Sequence, residues 1–210
     1  MVQCILCQST TSTGLGRIHD IEYHRCNQCH CTFKDEKHFP DATTEKSRYL
    51  LHNNDVDDFN YQKFVHPIVK GVFENCKQTE TGLDFGAGTA PVISSILLKK
   101  GYNIHQYDPY FHPDASVLSK EFDFIVCCEV VEHFHAPWKE FELLYKILKP
   151  NGMLFCMTEL LPEPQYFNDW YYKNDPTHVI FYSEKTLNWI KSHYGFSKIK
   201  VDGRLFVLTK

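Results

Sequence analysis

Thr81-Gly82-Leu83-Asp84-Phe85-Gly86-Ala87-Gly88-Thr89 carries a short apolar run into a glycine-rich turn, and Pro91 to Lys100 beyond it reads as a helix closed by Gly101. A strand, a glycine turn and a helix in that order form a ligand cradle, because glycines let the backbone pass close to a bound group at the carboxyl end of a sheet. The neighbouring segments extend the pattern. Asn103 to Tyr107 reads as a strand and Phe122 to Cys128 as a buried strand. Pro137 opens a helix with Trp138, Phe141, Leu144, Tyr145 and Leu148 on one face, stopped by Lys149-Pro150-Asn151-Gly152. Met153 to Thr158 is the next strand, Ser183 to His193 a serine-capped helix, and Asp202-Gly203 joins Lys198 to Val201 and Arg204 to Leu208 as a hairpin. This alternation predicts an α/β fold with a parallel sheet, helices on both faces and an antiparallel closing hairpin.

The turn itself narrows the ligand. A dinucleotide fingerprint would place its third glycine where Pro91 stands, and a phosphate-binding loop would need a following Gly-Lys-Ser/Thr, which is missing. Asp84 precedes the glycines, where a carboxylate could hold an ammonium group, and Asp108 ends the next strand, where one takes two ribose hydroxyls. A ligand with both features is S-adenosylmethionine (SAM). Over this whole region, from about Asp41 to the C-terminus, the chain resembles the class I SAM-dependent methyltransferases. The likeness lies in the turn at Asp84 to Gly88, in Tyr107-Asp108-Pro109, in Cys128-Glu129-Val130-Val131-Glu132-His133, in Leu148 to Gly152 and in the final hairpin. The resemblance, which extends to the bacterial ubiquinone O-methyltransferase-like group, implies a Rossmann-like sheet of seven strands with the last antiparallel. It also implies SAM contacts from Asp84, the Gly86-Ala87-Gly88 backbone, Asp108, Pro109, Cys128 and Glu129. Only thirteen residues separate Asp108 from Phe122, so the usual helix and third strand are shortened, and Asp114 is the nearest substitute for the adenine-binding acid.

Glu129, Glu132 and His133 stand at i, i+3 and i+4 after the strand, a spacing that on a helical turn puts them on one face, and His178 follows downstream in Asp175-Pro176-Thr177-His178. Two readings stay open. The four residues Glu129, Glu132, His133 and His178 bind Mg2+ or a similar ion that activates a hydroxyl, a pattern also similar to metal-dependent O-methyltransferases; or His133 or His178 acts as general base, with Glu132 beside it. Tyr49, His52 and Asn53 fall on a helical segment that the resemblance places over the cofactor as a lid. Tyr166, Phe167, Trp170, Tyr171 and Tyr172 read as a substrate wall or an interface.

The N-terminus is different in kind. Cys4-Ile-Leu-Cys7 and Cys26-Asn-Gln-Cys29 are two C-x2-C pairs with eighteen residues between them, the spacing of a zinc ribbon, with Gly14 and Gly16 in the connecting hairpin. His24, His30 or Cys31 could replace one ligand, and a thirty-five-residue piece would draw its folding energy from the metal. Thr43 or Thr44 can cap a short helix, and Asp57 or Asp58 a second one in which Pro67 predicts a kink. The expected organisation is a ribbon over 1–35, a helical lid or linker over 36–77 and a SAM-binding domain over 78–210. The chain has 210 residues, nine cysteines and 22 basic against 26 acidic residues. A net charge of −4 disfavours nucleic acid as the acceptor, because phosphate contacts need Lys and Arg. No run resembles a signal peptide or membrane span, so a cytoplasmic location is expected. The leading expectation is therefore methyl transfer to an oxygen or nitrogen of a small-molecule acceptor. An RNA methyltransferase that uses the ribbon, or a non-catalytic partner module, would be the alternatives.

Overall fold

In the computed structural model the described residues are 2–51 and 55–210. Six strands make the main sheet: β4 (Thr81–Phe85), β5 (Asn103–Tyr107), β6 (Phe122–Cys128), β7 (Leu148–Met157), β9 (Lys198–Asp202) and β10 (Leu205–Thr209), in the order β5-β4-β6-β7-β10-β9. The first four pair parallel, and β10 pairs antiparallel to both β7 and β9. The α/β class and the closing hairpin are as expected; the strand number is six rather than seven. The reason lies in the thirteen residues after Asp108. They form a tight backbone bridge between Asp108 and His112, then a 3-10 turn, Ala115–Ser119, capped by Asp114, and this leaves β5 as an edge.

Local chemistry explains the helices. α1 (Ala42–Leu50) is capped not by a threonine but by Asp41, whose carboxylate accepts from Thr44 N at 2.8 Å. α2 (Phe59–Asn75) is capped by Asp58, holds Pro67 within its length and buries Val65, Ile68, Val69 and Val72. α3 (Val92–Lys99) follows the glycine turn, α4 (Pro137–Ile147) begins with proline in its first turn, and α5 (Glu184–Tyr194) has a Ser183–Thr186 capping box and a left-handed Gly195 at its end. Among the described residues no helix is long and apolar enough to cross a membrane.

The N-terminal hairpin does not stand apart. β1 (Ser12–Ile18), β2 (Ile21–Cys26) and β3 (Thr32–Lys34) form a second sheet completed by β8 (Ile180–Phe181), contributed from near the other end of the chain. Cys4, Ile5, Leu6, Cys26, Cys29, Cys31 and Phe33 share one apolar core with β4, β6, β7 and α5. Burial against the rest of the chain thus stabilises these residues alongside any metal, at roughly 25 cal/mol per Å² of apolar area removed from water.

Two of the parallel strands approach closely at a glycine. A Cβ at Gly82 would lie 2.3 Å from the ring of Phe124 on the neighbouring strand β6. Gly82→Ala is expected to destabilise the chain by about 1–3 kcal/mol through overpacking, measured by urea unfolding against the wild type.

Candidate functional site

The carboxyl ends of the parallel strands open into one cleft of about 1010 Å³. Its floor is the glycine turn. Gly86 has φ +81° and Gly88 φ +66°, conformations that side chains disfavour. The Gly86 and Ala87 amides donate to the Tyr107 carbonyl at 2.8 and 3.1 Å, which folds the turn over the end of β5. A Cβ at Gly86 would strike Val130 at 2.4 Å, whereas one at Gly88 would meet open space. Asp108 fixes this geometry: its carboxylate accepts from Gly88 N at 3.0 Å, Tyr110 N at 2.8 Å and Phe111 N at 3.0 Å while lining the cleft with Pro109. Asp84 is placed differently. It is 4% exposed, accepts from the Ser94 hydroxyl of α3 at 2.7 Å, is pushed up to about 6 by burial, and lies beneath the turn rather than on the cleft wall. Asp114 caps its 3-10 turn and also lies off the wall.

At the other end Cys128 and Glu129 close β6. Glu129 takes the left-handed φ of +53°, and a 3-10 turn, Val131–His133, follows in place of a regular helical turn. The turn sends Glu129 and Glu132 toward the same partner: the Tyr172 hydroxyl bonds to Glu132 and, at 3.0 Å, to Glu129, with the Thr158 hydroxyl also 3.0 Å away. Arg204, at the turn of the β9–β10 hairpin, reaches Glu129 at 2.6 Å and Glu159 at 3.2 Å. One hydroxyl proton cannot satisfy two carboxylates. Burial pushes both carboxyl groups up, and the neighbouring Glu132 pushes Glu129 further, so the pair retains protons well above the usual carboxylate range.

His133 and His178 sit beside this pair with ring centroids 4.8 Å apart. His133 Nδ1 bonds to the Thr177 carbonyl at 3.0 Å and His178 Nδ1 to the Tyr172 carbonyl at 2.7 Å. A carbonyl only accepts, so both rings carry their proton on Nδ1 and leave Nε2 as a bare acceptor. Burial pushes His133 down and, with His133 as neighbour, pushes His178 down to about 3, so both are neutral at pH 7. Glu132, His133 and His178 present ligand atoms all within 4.8 Å of one another, and Glu132 Oε2 is buried without a hydrogen-bond partner. Glu129, held by Arg204 and Tyr172, is not in that group.

α1 contributes Glu45 and Tyr49 to the lining of the cleft. Tyr49 lines it edge-on to His133, and Arg48 bonds Asp175 at 2.8 Å; His52 and Asn53 lie outside the described residues. Glu45, unnoticed in the sequence, accepts from Tyr110 at 2.7 Å and pairs with His135 at 3.1 Å, which ties α1 to both sides of the opening. The aromatic run divides. Phe167 packs on Tyr23 and Phe181, Tyr172 joins the carboxylates, and Tyr171 lines the cleft while 62% exposed. Sequence reasoning missed Glu45, Arg204 and Thr158 because each acts through partners 40 or more positions away or, for Thr158, 14 away across a loop. A capping aspartate before α1 was the one local hint that Glu45 lies in a helix.

The cysteines also converge. Cys4, Cys7, Cys26 and Cys29 place their sulfurs within 4.8 Å of one another, with Cys4–Cys29 at 3.5 Å and Cys7–Cys26 at 3.4 Å. Cys31 lies 3.6 Å from Cys4 and 3.5 Å from Cys29, whereas His24 is engaged with Asp35 at 3.0 Å.

This fold and cleft belong to a recognisable class. The chain belongs to the methyltransferase-domain family, whose model matches residues 59–201, and the strand order with its antiparallel end is that of a SAM-dependent methyltransferase fold. Among solved structures, a SAM-dependent methyltransferase from Archaeoglobus fulgidus superposes with a TM-score of 0.55 at 16% identity, over 71% of this chain and 94% of that one. An O-methyltransferase family protein from Burkholderia thailandensis gives 0.53 at 16% identity, over 79% and 61%. In sequence, the ubiquinone biosynthesis O-methyltransferase of Pseudomonas fluorescens is 28% identical over 80 residues, 38% of this chain and 34% of its own length. That of Erwinia tasmaniensis is 31% identical over 78 residues, 37% and 32%. The chain thus matches about a third of the length of these curated relatives.

The shared proton sets a pH signature. In the unfolded chain Glu132 ionises in the ordinary carboxylate range, whereas in the fold its pKa is raised, so the folded chain binds more protons and loses stability as pH climbs into neutrality. Glu132→Gln keeps an acceptor for Tyr172 and removes the titration. The variant is expected to melt close to the wild type at about pH 5 and several degrees above it at about pH 8.5, at roughly 2–4 °C per kcal/mol for a chain of this size; scanning calorimetry across that range checks it.

Proposed function

We propose that this protein transfers the methyl group of SAM to an oxygen of a small-molecule acceptor. The observation that carries the reading is the arrangement of one cleft, with Asp108 and the glycine turn at one end and two neutral imidazoles at the other. The open space at Gly88 admits the cofactor, and Asp108, whose Oδ2 accepts only the Gly88 amide, keeps a lone pair for a ribose hydroxyl. Glu129, whose Oε1 has no hydrogen-bond partner, offers the cleft an acceptor for the ammonium group, while Asp84 is bonded to Ser94 and lies off the cleft wall. Methyl transfer is an in-line displacement, so the chain's part is orientation and removal of the acceptor's proton. His133 or His178 takes that proton on its bare Nε2, while the Nδ1–carbonyl bonds hold both rings in place. Tyr49 and Tyr171 wall the acceptor end.

Two metal ions fit the donor sets. Four convergent thiols suit Zn2+ at Cys4, Cys7, Cys26 and Cys29, a closed structural site. At Glu132, His133 and His178 the bare Nε2 atoms, the unpartnered Glu132 oxygen and the backbone carbonyls behind each ring suit a divalent ion that would supply Lewis acidity toward a hydroxyl. Two imidazoles to one carboxylate favour Mn2+ or Zn2+ over Mg2+, and Glu129 contributes nothing to that set. Dialysis of the Cys-loaded protein against Mn2+ is expected to give one further bound ion per chain, lost in His178→Ala; a stoichiometry unchanged by His178→Ala leaves the imidazoles as bases only.

Titration calorimetry tests the cofactor reading. SAM and its demethylated product are expected to bind one per chain, and Asp108→Ala to weaken both by about 10- to 100-fold, the worth of charge-assisted hydrogen bonds. No heat at millimolar ligand would refute it.

A further inference from the structure

The cysteine-bearing hairpin and the acceptor end of the cleft are one mechanical unit, and Lys34 is where they join. Lys34 closes β3 and is 1% exposed, an unusual place for an ammonium group. Its Nζ donates to the Pro176 carbonyl at 2.8 Å, and its backbone amide donates to the Val179 carbonyl at 2.8 Å. Those two bonds bracket Thr177 and His178. Thr177 supplies the carbonyl that orients His133, and Val179 N in turn donates to the Glu132 carbonyl at 2.9 Å. The chain of contacts therefore runs from β3 through residues 176–179 to both imidazoles and to the Glu132 backbone.

On its other side the strand is rooted in the thiol cluster. Cys29 and Cys31 immediately precede β3, the Cys26 amide donates to the Cys31 carbonyl at 3.0 Å, and β3 pairs with β8 through Thr32↔Phe181 and Phe33↔Ile180. Tyr23 of β2 presses on Phe167 and Phe181 with ring centroids at 5.0 and 6.2 Å, in the cluster that also buries Tyr172. The same segment is held from α1 by the Arg48–Asp175 pair, but that contact reaches only its start. By contrast, among the described residues the cofactor end, built from Gly86, Gly88 and Asp108, receives no hydrogen bond from the hairpin.

We infer that the N-terminal hairpin is a built-in part of the acceptor site, with Lys34 a positioning residue that sets His133 and His178 through residues 176–179 and leaves the cofactor end untouched. A buried ammonium is costly to keep out of water, and replacing it by an apolar residue is often tolerated by the fold itself. What would be lost is the placement of Pro176 and of the carbonyls that fix the two rings. The inference rests on the reading of His133 and His178 as acceptor-side groups, but its test does not depend on turnover.

The test compares wild type with Lys34→Met and Lys34→Arg, all carrying Zn2+ at the thiol cluster and dialysed free of other divalent ions. Nitrogen NMR of 15N-histidine-labelled protein at fixed pH reads the ring tautomers, and calorimetry reads affinity for the demethylated cofactor. In the wild type both rings are expected as single Nδ1–H tautomers. In Lys34→Met both should become mixtures, with cofactor affinity unchanged, and Lys34→Arg, which keeps a donor, should restore them. Retained Nδ1–H signals in Lys34→Met overturn the inference, as does an equal loss of cofactor affinity, which would make Lys34 a support of the whole fold. Should Lys34→Met not fold, amide exchange in the wild type decides: the amides of Lys34, His178 and Val179 are expected to open together, and separate opening would overturn the linkage. A chain that passes this test yet transfers no methyl group would refute the proposed function alone.

Discussion

One hydroxyl proton, on Tyr172, has to serve two carboxyl groups, the buried Glu132 and the half-buried Glu129, and much of the molecule is arranged around that shortage. Glu129 and Glu132 both reach the Tyr172 oxygen; Glu132 is fully buried, whereas the Glu129 side chain is half-buried at the cleft wall. Isolated, such a pair would be prohibitive, since each ionised carboxylate out of water costs several kcal/mol. Arg204 offsets part of the cost by pairing with Glu129, Thr158 adds a hydroxyl, and a retained proton supplies the rest. These partners come from the turn after β6, the end of β7, the terminal hairpin and the 3-10 turn at 171–174, so the network ties four separate parts of the chain to one point. It also explains the left-handed backbone at Glu129: only that sharp reversal after β6 lets residues 129 and 132 face the same hydroxyl.

The cleft is divided in consequence. Its cofactor end depends on short-range features, two glycines with positive φ and an aspartate that accepts three backbone amides within its own turn region. Its acceptor end depends on long-range ones, with His178 and Tyr172 brought to β6 by a loop that the N-terminal hairpin and α1 hold from either side. Such a division suits a methyltransferase, in which one cofactor is used against many acceptors: the turn can stay constant while the wall varies.

The same division governs what could be read from the sequence. The tight turn at Gly86 and Gly88 beside Asp108 and the convergence of the two cysteine pairs could be read ahead because they are written in consecutive or regularly spaced residues. The strands of the sheet were legible for the same reason, down to the Asp202-Gly203 turn. The seventh strand was expected from resemblance, and the thirteen residues after Asp108 leave no room for it once Asp108 and Asp114 each cap a turn. Asp84 was read as a ligand from its position before the glycines, yet strand alternation points it toward α3 and Ser94 instead. Glu45, Lys34 and Arg204 look like ordinary exposed charges in one dimension. They matter because of partners such as Tyr110, Pro176 and Glu129, which only the folded chain brings near.

The central claim is that one cleft holds the methyl donor by the glycine turn and aims its sulfur at the histidine pair. A crystal structure with the demethylated cofactor tests this most directly. The expected result is a ribose hydroxyl on Asp108 and the cofactor sulfur facing His133 and His178 across the cleft. Density for the cofactor elsewhere, or a sulfur pointing away from both imidazoles, would contradict it.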